Sequence, residues 1–122
     1  MHTVLVDTSI WVDHFRKREA LMQDLLSSGQ VAIHPFIIGE LACGNFANRT
    51  EILNLLSELP LVTIASNEEV MHLIETHKLS GKGLGWIDVH LLTSALLDNL
   101  PLWTRDQKLA AAAKKLDITG SK

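Results

Sequence analysis

Short, unbroken runs of β-branched and apolar residues alternate along this chain with longer segments of helical periodicity. That alternation restricts the fold more than any other feature. Val4, Leu5 and Val6 form the first such run, and Asp7 closes it. Because no polar residue alternates within it, both faces of the strand must be covered, as in a parallel sheet between helices. Thr8 and Ser9 are capping types, and a helix opens over residues 10–15. The same reading predicts strands over residues 31–33, 61–64 and 102–103, and a short last one near 117–119. Helices are predicted over residues 19–28, 36–46, 51–59, 68–79 and 86–98, and from 104 or 106 to about 115. Ser66 with Glu69 three residues on has the capping-box pattern. Strand and helix in turn argue an α/β fold with a mostly parallel sheet, in a single domain over residues 1–122.

Composition excludes several classes. With 47% hydrophobic and 20% charged residues, the chain is not disordered. A chain of 122 residues buries enough surface to fold without disulfides. Cys43 is the sole cysteine, which rules out an intrachain disulfide and a cysteine-rich zinc site. The longest apolar stretch, residues 84–103, is interrupted by Asp88 and Asp98, whereas a spanning helix needs about 20 mostly apolar residues. The start has neither the basic region nor the apolar core of a signal peptide. The expectation is a soluble, cytoplasmic protein with no membrane partner.

Most acids read as solvated surface, among them Asp13, four residues before Lys17 and so placed for an exposed ion pair. Four acids read differently. Asp7 ends the first strand, and ligands of open α/β sheets sit at such carboxyl ends. Glu40 shares a helix face with Phe36, Ile37, Cys43 and Gly44, where a carboxylate is costly unless paired. Asp88 lies in the first turn of a helix among Leu84, Leu91, Leu92 and Ala95. Asp106 follows a strand and opens a helix, two residues after Thr104. Each also has a plain structural reading. Asp7 and Asp106 would serve as helix caps, Glu40 as an acid at the stripe edge, and Asp88 as a charge suited to the helix dipole.

If the four acids converge, they repel one another, and a divalent cation removes the conflict. All-oxygen sites suit Mg²⁺ or Mn²⁺. Such ions activate water and steady a leaving oxygen in phosphodiester cleavage. The net charge of −3 comes from 11 basic and 14 acidic residues; without those four acids, 10 remain and the balance is +1. Arg16, Lys17 and Arg18 cluster, and Lys78 and Lys82 flank the start of a glycine-rich loop, so either group could hold RNA phosphates or simply be solvated. His90, two residues from Asp88, points to another helix face and reads as structural or surface. His2, His14, His34, His72 and His77 show no ligand spacing with one another.

At these residues the sequence resembles a known family. VLVDTSIWVD looks like the opening motif of PIN-domain ribonucleases, and IIGELACG like the second. GWIDVHLLTSALL resembles the third and LWTRDQKL the fourth. The compact length is similar to the VapC toxins of toxin–antitoxin pairs. The resemblance implies a three-layer α/β/α sandwich and a Mg²⁺- or Mn²⁺-dependent endoribonuclease. It carries the metal-binding, catalytic set onto Asp7, Glu40, Asp88 and Asp106, with Ser9 and Thr104 as hydrogen-bonding groups beside the acids. It also implies a homodimer and a cognate antitoxin that inhibits it. The chain departs from the pattern at Lys108 and Leu109, where many relatives carry an acid and an aromatic. Trp11, Phe15 and Phe46 are expected to contribute an outward apolar face to the dimer. The antitoxin is expected to combine an apolar helix with an Arg or Lys delivered toward the acids. Two rival readings are a non-catalytic PIN-like module whose acidic pocket binds a basic partner, and a phospho-accepting receiver domain. A receiver clusters paired acids after its first strand and places a lysine near its last, whereas here Val6 precedes Asp7 and no lysine directly follows the last clear strand.

Overall fold

The computed structural model describes residues 3–119. His2 lies outside them. The elements run β1 (Val4–Val6), α1 (Thr8–Arg16), α2 (Ala20–Ser27), β2 (Val31–Ala32), α3 (Pro35–Ala42), α4 (Arg49–Leu56), α5 (Asn67–Thr76), α6 (Trp86–Leu97), β3 (Leu102–Trp103) and α7 (Gln107–Lys115). The three strands form a parallel sheet in the order β2-β1-β3. Leu5 sits opposite both Ala32 and Leu102, so β1 is central, and all three of its residues are buried. That is the outcome required of an unbroken apolar strand. Helices α1, α3 and α4 pack together, and α6 packs on α5, α7 and β3. The arrangement is the expected α/β sandwich.

The expected strand over residues 61–64 is not a strand; only Leu61 bridges Ile33. The backbone N–H and hydroxyl of Thr63 are instead taken by the Asp98 carboxylate, at 2.7 and 2.6 Å. Leu61 and Ile64 are left facing outward. The last predicted strand is likewise one bridge, Leu102 to Thr119. The predicted capping box is present, with Glu69 N–H donating to Ser66 Oγ and Ser66 N–H to Glu69 Oε1.

Trp11 corrects a second expectation. It is 2% exposed and belongs to the core rather than to an outward face. Phe15 packs against it and stacks on Phe46 with ring centroids 4.7 Å apart. The predicted Asp13–Lys17 pair does not form. Lys17 has left the helix at its C-cap, and Asp13 pairs with Arg105 at 2.6 Å. Cys43 is an exposed free thiol. Among the described residues no helix is long and apolar enough to cross a membrane.

Candidate active site

Asp7 lies where β1 runs into α1, and the sheet holds it there: its N–H donates to the Trp103 carbonyl at 2.9 Å. It is the N-cap residue of α1, but its side chain caps nothing. Its Oδ2 instead accepts from Ser9 Oγ at 3.0 Å and from Thr104 Oγ1 at 2.7 Å. The carboxylate is only 7% exposed. Burial of a charge is tolerated where hydrogen bonds replace water, and two hydroxyls do so here. Those hydroxyls are themselves fixed: Arg105 N–H donates to Ser9 Oγ at 3.0 Å and Asp106 N–H to Thr104 Oγ1 at 3.1 Å. Ser9 and Thr104 therefore both stand beside Asp7.

Asp106 is the N-cap of α7, and its Oδ1 accepts from the backbone N–H groups of Lys108 and Leu109 at 2.9 and 3.0 Å. Asp88 reaches back in the first turn of α6, where its Oδ2 accepts from Gly85 N–H at 2.9 Å. Burial raises the Asp88 pKa above its ordinary value, partly opposed by that N–H, and the negative charges of Asp106 and then Asp7 push it the same way. Asp7 and Asp106 therefore both lie within electrostatic reach of Asp88.

Glu40 differs from expectation. The buried face of α3 is formed by Ile37 and Leu41, and Glu40 lies on the exposed side, so no desolvation argument applies to it. It joins the site through Thr8, whose hydroxyl donates to Glu40 Oε1 at 2.7 Å. Sequence reasoning treated Thr8 only as a capping type. Its position beside Asp7 was the available signal.

Nearby, His34 and His90 are buried, with His90 packed edge-on against Trp86 and Phe36. His34 Nδ1 accepts from Phe36 N–H at 2.9 Å and caps α3. Burial, with a smaller contribution from His90, lowers the His34 pKa to about 4. Burial lowers that of His90 as well. Both imidazoles lie in the core, where burial favours the neutral form.

The donor set is all oxygen. Among the described residues, no three His, Cys, Asp or Glu side chains form a ready-made metal cage. An all-oxygen set of donors suits a hard divalent cation. The mutual repulsion at Asp88 is the kind a cation relieves.

A parallel sheet with this cluster of acids at its carboxyl edge defines the class, and the chain belongs to the PIN-domain family, whose model matches residues 4–115. Within that class it is 41% identical over 116 residues to Ribonuclease VapC32 of Mycobacterium tuberculosis, covering 94% of each chain. It is 28% identical to Ribonuclease VapC1 of Methanocaldococcus jannaschii, over 86% of this chain and 76% of that one. The fold superposes on a toxin–antitoxin complex from Klebsiella pneumoniae with a TM-score of 0.70 and 27% identity, covering 89% of this chain and 91% of that one. VapBC-1 from nontypeable Haemophilus influenzae has a TM-score of 0.70 at 19% identity, over 98% and 97%, which speaks to the fold alone.

Proposed function

We propose that this chain is an endoribonuclease toxin of a toxin–antitoxin pair, dependent on Mg²⁺ or Mn²⁺. The observation that carries the reading is the buried Asp7 carboxylate, held by two hydroxyls at the carboxyl edge of the sheet instead of capping its helix. Asp7, Asp88 and Asp106 would hold the cation, with Glu40 contributing from the rim. When bound, the cation supplies activated water and neutralises charge developing on the phosphate. Ser9 and Thr104 hold Asp7 in one orientation and occupy its Oδ2, so Oδ1 would be the oxygen left to a cation. Asp106 has Oδ1 tied to the helix cap and offers Oδ2. The RNA phosphodiester is cleaved by water, and no side chain need act as nucleophile. The VapC relatives and the toxin–antitoxin neighbour support this reading. A cognate antitoxin, cytoplasmic action, a homodimer and a single domain belong to the same proposal.

The test is cleavage of a structured RNA by the purified protein in Mn²⁺ and in EDTA, alongside Asp7→Asn. Cleavage that needs Mn²⁺ and is lost in the variant is expected. Equal cleavage by Asp7→Asn overturns the site. A protein that takes up no Mn²⁺ and cleaves nothing supports the non-catalytic binding module instead.

A further inference from the structure

Beside the acidic centre lies a cleft of about 340 Å³, between the segment that includes Leu79 and Lys82 and the exposed face of α7. Its floor includes Leu79, Ala111 and Ala112, and its walls carry Lys82, Lys108 and Lys115. No acid lines it. Along α7, positions 108, 111, 112 and 115 follow the three-and-four spacing of a single face, so two lysines flank an alanine strip. The lysines are held in distinct ways. The Lys108 side chain lies over Gly83, where an added Cβ would fall 2.6 Å from its Cδ and 2.8 Å from its Nζ. Lys115 Nζ donates to the His77 carbonyl at 2.8 Å. Among the described residues none of the three has a carboxylate partner, whereas Arg105 is taken by Asp13 and Glu19. In a chain of net charge −3, three unneutralised lysines around one cleft are a local reversal of sign.

The cleft shares both walls with the candidate active site. Asp106 caps the helix that carries Lys108 and Lys115. The glycine-rich loop that carries Lys82 leads into α6 and Asp88. We infer that the Lys82–Lys108–Lys115 cleft is a subsite for the RNA strand next to the cleaved bond, with the lysines on backbone phosphates and the apolar floor under a base or ribose. The inference rests on the endoribonuclease reading. An RNA strand is favoured over an acidic peptide because a strand whose phosphate reaches the acids must continue past one of these shared walls. The alternation of cationic wall and apolar floor also matches a polymer of phosphates and rings.

The experiment uses the full chain and a single-stranded RNA oligonucleotide in EDTA, so that without the activating cation it binds without being cut. Affinity is measured by fluorescence anisotropy over a range of salt, for wild type and for the triple variant Lys82→Gln, Lys108→Gln, Lys115→Gln. Removing three phosphate contacts should reduce the slope of log K against log salt by about 2, since each contact on a single strand contributes about 0.7. In Mn²⁺ the same variant should raise KM about tenfold or more and leave kcat at saturation unchanged. The triple Lys→Arg variant should keep the wild-type slope, and Lys114→Gln, on the same helix but outside the cleft, should change it little. An unchanged slope and KM in the Gln variant overturn the subsite, as does an equal fall in Lys114→Gln. If the wild type cleaves no RNA in Mn²⁺, the endoribonuclease reading itself fails, an outcome distinct from cleavage that ignores the three lysines.

Discussion

Asp7 and Asp106 occupy the same local position and are used in opposite ways. Each follows a strand of the parallel sheet and is the N-cap residue of the next helix. Asp106 spends an oxygen on two backbone N–H groups of α7. Asp7 gives its helix only its backbone carbonyl, which accepts from Ile10 and Trp11 N–H, and turns its buried carboxylate toward two hydroxyls. A cap exists to satisfy orphan donors of the first turn. A side chain that declines that role, at a cost in burial, is positioned for something other than helix stability. In the proposed site Asp106 would combine both tasks, and it is exposed.

The contrast can be broken most directly at Asp7. Asp7→Asn should lower Mn²⁺-dependent cleavage on the order of 10³-fold, about 4 kcal/mol of barrier, and leave the helix α1 intact by circular dichroism. Activity above a tenth of wild type would place the chemistry elsewhere. Next come the hydroxyls. Ser9→Ala and Thr104→Val should each reduce cleavage about 10- to 100-fold, the usual cost of losing the partner of a metal-binding group. Because both donate to Asp7 Oδ2, the double variant should lose less than the product of the two. Strict additivity in initial rates would show that they act independently.

Stability sharpens the comparison further. Asp106→Ala should cost about 1 kcal/mol in urea unfolding, whereas Asp106→Asn, an equally good cap, should cost little; both should reduce cleavage. The same stability in both variants would mean that the observed cap contributes nothing.

The smallest expected effect is at Asp88. Its raised pKa means that the charged form is less favourable in the folded protein than in the unfolded chain. At neutral pH that penalty is fully present, and it disappears as pH falls through the raised folded value toward the ordinary one. Metal-free Asp88→Asn should therefore melt slightly higher than wild type at pH 7, and the two should converge on acidification. In NMR titration, Asp106→Asn should lower the Asp88 pKa more than Asp7→Asn does. An Asp88 pKa that ignores both variants would show that the acids are too far apart to share a cation.

The parts of this molecule that were legible in the sequence depend on neighbours in the chain. The unbroken run at Val4–Val6 specified a buried strand, and Ser66 with Glu69 specified a helix start. Ser9 and Thr104 were placed beside the acids by the resemblance to the family's motifs, not by local spacing. What could not be read depends on distant partners. Residues 61–64 have strand composition, yet Asp98 takes the Thr63 N–H from 35 residues away. Glu40 seemed to lie on an apolar stripe because the periodicity of α3 does not show which side meets the core; Ile37 and Leu41 decide it. Arg105 pairs with Asp13 and Glu19 across more than 80 residues, which displaced the local pairing of Asp13 with Lys17.

The bond from Thr104 to Asp7 spans 97 positions of the chain, and its consequence is one of timing. β1 is made first and lies at the centre of the sheet, but one of its two neighbours, β3, is nearly the last strand to be made. At synthesis rates of about 5–20 residues per second, roughly 5–20 s pass between the appearance of Asp7 and that of the hydroxyl that braces it. Throughout that interval the nascent polypeptide carries Asp7 without Thr104 or Asp106, and so has no assembled centre. Assembly of the proposed centre therefore waits for the synthesis of β3 and of residues 104–106 that follow it.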